Sequence, residues 1–252
     1  MTISENHPRF QSLVVRERLT KAITKGIVVP QGLIAHGRGE AFDYVMGEKT
    51  HRAAARATSV AAALLLTADH PVLSVNGNTA ALVGRDIVKL ASMLNAPIEV
   101  NLFHRTTRRQ HLIARYLTRL GAKEVLGVGR AARTTIRGIS SPRRRTDPKG
   151  IGTADVVLIP LEDGDRAQAL ERAGKKVIAV DLNPLSRTSQ VAFVSIVDNV
   201  VRVIPALLRA IARMRRMRRK SLARLVSTFD NDRNLAESIE DAIHYLRGWV
   251  RD

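Results

Sequence analysis

Asp181 closes the run "VIAVD", and Asn183, Arg187, Thr188, Asp198 and Asn199 follow within the next eighteen residues. These types suit a nucleotide. A carboxylate at the end of a buried strand accepts hydrogen bonds from ribose hydroxyls, Asn183 can fix a base or sugar edge, and the Arg187 guanidinium offers a planar donor fork to phosphate oxygens. Asp198 and Asn199 open a helix, where side chains cap and backbone N–H groups face an anion. The same stretch also reads as an Asn-Pro turn followed by an ordinary helix cap. Residue types alone leave both readings open.

A second cluster lies in "GLIAHGRGEAFDY", Gly32 to Tyr44, which joins three glycines to His36, Arg38 and Glu40. It is expected to be a loop. Glycines beside Arg38 would let backbone approach phosphate with no Cβ in the way. His36 and Glu40 would then orient metal or substrate, against the plainer reading of a histidine packed beside a loop.

Other motifs are missing. No G-x-x-x-x-G-K-[ST] occurs, which excludes a P-loop. "GVGRAA", Gly127 to Ala132, fits G-x-G-x-x-A, but the following "RTTIRGISSPRRR" has no helical stripe to face a pyrophosphate. The histidines lack zinc-site spacing. With no cysteine among 252 residues, disulfides and thiol chemistry are excluded. No apolar run approaches the roughly 20 residues of a bilayer crossing, and "MTISENHPRF" does not resemble a secretory signal. A cytoplasmic protein is expected.

The net charge of +18 admits nucleic acid, an acidic membrane surface or polyanionic small molecules as partners. Two stretches carry much of it: Val201 to Phe229, with nine Arg or Lys and no acid, and Arg130 to Gly150. Almost no aromatic residue lies within them, so platforms for stacking single strands are poorly supplied.

Around these residues the hydrophobic pattern alternates. Helices are expected over Arg9 to Lys25, Thr50 to His70, Thr79 to Asn95, Thr106 to Ala122 and Asp165 to Gly174. Short β-branched runs, "PVLSV", "PIEVNLF", "KEVLGV", "ADVVLIP", "KKVIAVD" and "VAFVSIVD", read as strands. The tail from Asn199 is expected as one long helix, with a final helix from Asn234 towards Trp249. Such βαβ units make an α/β, Rossmann-like three-layer sandwich with a mostly parallel sheet, N-terminal helices and a basic helical C-terminal extension (199–252), within one domain spanning 1–252. Ligands of these sheets sit past the strands' carboxyl ends. That points to "NGN", "NLFHRT", "PLEDGD", "DLNPLSRT" and "VDN".

"GLIAHGRGEAFDY", "SVNGN", "VNLFHRT", "VVLIPLEDGDR" and "DLNPLSRT…VSIVDN", in this order, resemble the archaeal phosphopantothenate synthetase (4-phosphopantoate–β-alanine ligase) family. The likeness runs from about His7 into the 200s and fades in the basic C-terminal part. It implies a homodimeric enzyme of coenzyme A synthesis that joins 4-phosphopantoate to β-alanine, converting ATP to AMP and pyrophosphate. It further implies an ATP site of Arg16, Arg38, Asp181, Leu182, Asn183, Arg187, Thr188, Asn199 and Val200, to which Asp198 is added on physical grounds. Arg16 and Arg38 would hold the polyphosphate and Asp181 the ribose. His36, Arg38 and Glu40 are the catalytic candidates. For phosphopantoate the strand ends offer Asn76, Asn78, Arg105 and Thr106, with Arg145 or Lys149 closing over it as a lid. Mg²⁺ is expected with ATP; Glu162 to Asp165 would hold it or simply cap a helix. Two rivals remain: a nucleic-acid-binding protein motivated by the charge, and another ATP- or sugar-nucleotide-using α/β enzyme.

Overall fold

A computed structural model describes residues 4–7 and 9–250. Three helices come first: α1 (Phe10–Thr24), α2 (Pro30–Val45) and α3 (Arg52–Thr67). Alternation then begins with β1 (Pro71–Val75), α4 (Gly77–Leu94), β2 (Ile98–Val100), α5 (Thr107–Arg119) and β3 (Val125–Leu126). The basic stretch folds back through a small hairpin, β4 (Thr134–Thr135) with β5 (Arg145–Thr146). The sheet resumes with β6 (Val156–Pro160), α6 (Gly164–Arg172), β7 (Lys176–Val180), α7 (Arg187–Val191) and β8 (Val194–Ile196). Helices α8 (Val200–Met214), α9 (Arg219–Ser227) and α10 (Asn231–Arg247) complete the chain.

The main sheet is parallel throughout, in the order β3-β2-β1-β6-β7-β8. The connections run outward from β1 in one direction and from β6 in the other. This is the doubly wound, Rossmann-like arrangement, and its order reverses between β1 and β6. Burial explains the strands: every residue of β6 is buried, as a sheet covered on both faces requires. One face packs on α3, α4 and α8, where buried alanines of α3 allow close helix approach. The other carries a smaller core with Ile151, Ala167 and Leu170. At one edge, β8 meets side chains instead of another strand: Ser195 N–H donates to Asn231 Oδ1 and Ser195 O accepts from Asn234 Nδ2, each at 2.8 Å.

Two expectations are corrected. Gly32 to Tyr44 is not a loop but most of helix α2, started by Pro30, whose missing N–H costs nothing in a first turn. Gly37 and Gly39 therefore sit mid-helix, where their backbone N–H groups are committed to the helix and not free to cradle phosphate. Gly32 instead admits a neighbour: a Cβ there would lie 2.5 Å from Asn78 Oδ1, and Asn78 Nδ2 donates to Gly32 O at 2.8 Å. The tail is likewise not one long helix, because it breaks at Arg215–Arg218 and again near Asp230, and the last helix begins at Asn231. The arginines around the first break are exposed. No described helix is long and apolar enough to cross a membrane.

Gly77 shows how tightly the entrance to α4 is built. A Cβ there would collide with the Ile27 carbonyl and lie 2.5 Å from Arg109 Nη2. Arg109 donates to that same carbonyl through Nε (3.1 Å) and Nη2 (3.0 Å), so the glycine lets it cross the first turn of α4. Gly77→Ala is expected to cost about 1–3 kcal/mol through overpacking. A urea midpoint equal to that of the wild type would contradict this account.

Candidate active site

The carboxyl ends of β1, β2, β6 and β7 and the head of α8 open onto one cavity of ≈ 320 Å³. Helix α2 forms its outer wall with Gly32, His36, Arg38, Gly39 and Phe42. The floor lies at the strand-order reversal, where ligands of such sheets bind. Asn76 fixes that point. Its Nδ2 donates to Pro160 O (3.2 Å) and Leu161 O (2.9 Å) at the end of β6, while its Oδ1 caps α4 through Thr79 N at 3.0 Å. Leu161 is held at φ 56°, a left-handed conformation costly for leucine.

Helix starts converge here. Gly77 and Asn78 at the head of α4, and Asn199 and Val200 at the head of α8, line the cavity. Unpaired N–H groups and the positive dipole ends of these helices favour a bound anion. Asn199 caps α8 through Val201 N (3.2 Å) and donates to Asp43 Oδ2 of α2 at 2.8 Å. Arg202 binds Asp43 too, and Asp198 at 2.7 Å, so a polar network ties the outer wall to the head of α8.

Arg38, Arg109 and Arg143 add cationic side chains. Arg143 is 6% exposed and ion-paired with Glu162 and with Asp163 (3.3 Å), and burial pulls its pKa down to about 10. Fully buried Arg166 holds Glu162 from below and donates to Ser74 Oγ at 3.1 Å; burial lowers it to about 10 as well. Both stay cationic at neutral pH. His36 is pushed below its usual pKa by burial, against the pull of Glu40, so its imidazole is neutral. Its Nε2 is buried with no protein partner. Burial raises the Asp181 carboxyl although Ser186 and the Asn183 N–H donate to it.

Of the residues expected from sequence, His36, Arg38, Asn76, Asn78, Asp181, Leu182, Asn183, Asn199 and Val200 meet around this cavity. The others do not line it. Arg16, on α1, is bound at 3.0 Å to Glu40, whose carboxylate is also taken by Ser12 and Arg9. Arg187 pairs with Asp165 at 2.5 Å in the open, directly after the cavity residue Ser186. Thr188 is buried, donating to Glu162 O at 2.9 Å. Asp198 serves the network just described and accepts from Thr50 at 2.6 Å. Arg105 donates to Gly127 O (3.1 Å), and Thr106 caps α5 through Arg109 N (3.2 Å). Arg145 of the expected lid faces a separate basin, while its neighbour Arg143 enters the cavity. Arginines engage Glu162, Asp163 and Asp165, and among the described residues no three His, Asp or Glu form a metal-binding group. Asp163 occupies the cap position of α6 without a side-chain cap bond.

Residues 53–245 match the phosphopantothenate/pantothenate synthetase family. The chain belongs to that family. It is 48% identical to a 4-phosphopantoate–β-alanine ligase of Methanosarcina mazei over 97% of this chain and 96% of the relative. A ligase of the same name from Thermococcus kodakarensis is 47% identical, covering 94% and 90% respectively. Another from Methanospirillum hungatei is 53% identical, covering 80% and 82%.

Sequence reasoning missed several cavity residues of this synthetase-family chain: Gln31, Phe42, His104, Arg109, Arg143 and Ser186. Arg143 is the first member of "RRR" and looked like its solvated neighbours. What singles it out lies just past the end of β2: Asn101 Nδ2 donates to the carbonyls of Arg143 (3.1 Å) and Arg145 (3.2 Å), fixing the loop from below. Glu99, within β2, accepts from Asp147 N (3.1 Å) and Ile151 N (2.7 Å). Burial lifts the Glu99 carboxyl from 4.5 to about 7 despite those donors. A folded-state pKa above the unfolded value means that the stabilisation is complete below about 4.5 and lost as pH rises through about 7. The stability gap between wild type and Glu99→Gln should therefore be widest near pH 4.5 and narrow as pH is raised through about 7. Urea midpoints across that range measure it, and a gap that widened with pH would refute the assignment.

Proposed function

We propose that the chain ligates 4-phosphopantoate to β-alanine, forming 4′-phosphopantothenate with ATP converted to AMP and pyrophosphate, as a step of coenzyme A synthesis. The carboxylate of phosphopantoate attacks the α-phosphorus of ATP, giving an acyl-adenylate and expelling pyrophosphate. The β-alanine amine then attacks the acyl carbon, the C–O bond to AMP breaks, and the amine's surplus proton leaves to solvent. Both reactants of the first step are anions. The carrying observation is that the heads of α4 and α8 and the guanidiniums of Arg38, Arg109 and Arg143 meet on a single cavity. Such preorganised positive charge makes the approach of two anions tolerable.

In this reading Asp181 and Asn183 hold the ribose, and the head of α8, with Asn199 and Val200, faces the phosphates. Asn76, Asn78 and Arg143 receive phosphopantoate. Arg187 and Arg16 stand just outside and join the polyphosphate by exchanging Asp165 and Glu40 for it; the exposed Arg187 pair contributes little and is readily exchanged. Neutral His36 supplies a hydrogen bond from the α2 wall. Mg²⁺ enters as part of the substrate, bound to the ATP phosphates rather than in a protein cage. Residues 1–252 work as one ligase domain in the cytoplasm. A homodimer is supported by the exposed Ile243, Leu246, Trp249 and Val250 near the end of the chain.

The test follows nucleotide products. Exchange of labelled pyrophosphate into ATP should require phosphopantoate alone, whereas sustained AMP release should require β-alanine as well. AMP released with neither acid nor amine present would defeat the assignment. Arg38→Ala should lower kcat/KM for ATP by about a hundredfold or more with the melting temperature unchanged; near-normal turnover would mean the site is misplaced.

A further inference from the structure

The loop after β3 has a second face. While Arg143 enters the cavity, the β4–β5 hairpin and its flanks enclose an open basin of ≈ 920 Å³ walled by Arg130, Arg133, Arg137, Arg144 and Arg145. A recess of ≈ 340 Å³ adjoins it, sharing Arg144 and Arg145 and adding Arg105. Neither has a lining residue in common with the cavity, and no carboxylate lines either.

Among the described residues none of these six arginines is ion-paired. The nearby acids are otherwise engaged. Glu99 receives the Asp147 and Ile151 N–H groups, and Asp147 receives those of Lys149 (3.0 Å) and Gly127 (3.4 Å). Arg105 Nη1 is buried with no partner, and Arg105 is held below its usual pKa first by burial and then by the like charge of Arg145. A solvated run of charge spreads its side chains over a convex surface and relieves such repulsion. Here they surround a hollow.

The lining narrows the ligand class. Arginine forks match phosphate oxygens, and the hydroxyls of Thr107, Thr135 and Ser140 add further donors. No aromatic side chain lines the basin or the recess, so nothing is supplied for stacking a base. We propose that this basin is a separate binding site for a small polyphosphate, recognised through its chain of phosphates and not through a base.

Calorimetric titration of the full chain with inorganic tripolyphosphate tests this. The doubly substituted Arg133→Ala/Arg137→Ala protein changes two exposed side chains outside the catalytic cavity, so ligase turnover should persist. Its affinity for tripolyphosphate at one site should fall by about tenfold or more, as expected for losing charge-assisted hydrogen bonds. Arg38→Ala should leave that site intact. Adenosine, which has a base and no phosphate, should not displace the ligand. Unchanged binding in the double variant, complete loss of binding in Arg38→Ala, or displacement by adenosine would each overturn the proposal. These outcomes are read without turnover of the ligase reaction, so they separate the basin from the catalytic assignment.

Discussion

The cavity exists because the sheet reverses its winding between β1 and β6, and one side chain holds the two strand ends in place. Asn76 uses its donor group on the carbonyls that end β6 and its acceptor on the head of α4. A strand, a neighbouring strand and a helix start are thus fixed by a buried amide with its hydrogen bonds satisfied, the condition under which a buried polar group rigidifies its surroundings. Leu161 adopts its unfavourable left-handed conformation within the same constraint. The dipole of α4 is aimed by this point. The polar network around Asp43 then sets the α2 wall against the head of α8.

The electrostatics follow the same economy. Arg143 and Arg166 share Glu162, so the floor carries one buried acid between two buried guanidiniums, with Asp163 beside Arg143. Burial makes that arrangement expensive unless each ion has partners. The surplus of positive charge is what an incoming anion meets. His36, neutral and with an open ring nitrogen, adds a hydrogen-bonding group without adding charge.

Much of this was legible in the sequence. The alternating β-branched runs gave the sheet, and the rule that ligands gather past its strand ends pointed to five stretches, each contributing to the cavity wall. Asp181, Asn183 and Asn199 could be named because strand ends and helix caps are local signals. What stayed hidden was non-local. Arg109 belongs to the cavity only because Gly77 and the Ile27 carbonyl admit it, and those lie tens of residues upstream. The glycines of α2 read as loop because glycine lowers helix propensity. There tertiary contact overrides it: Asn78 occupies the space that a side chain at position 32 would need.

The asparagines that meet β8 bear on how copies of this chain can associate. A bare sheet margin recruits other chains by continuing its ladder. Here Asn231 and Asn234 of α10 occupy the outward donor and acceptor of Ser195. At the far margin, β3 is only two residues long and offers little ladder to extend. Neither end invites intermolecular β-pairing, so a stable assembly would have to be built by packing helices.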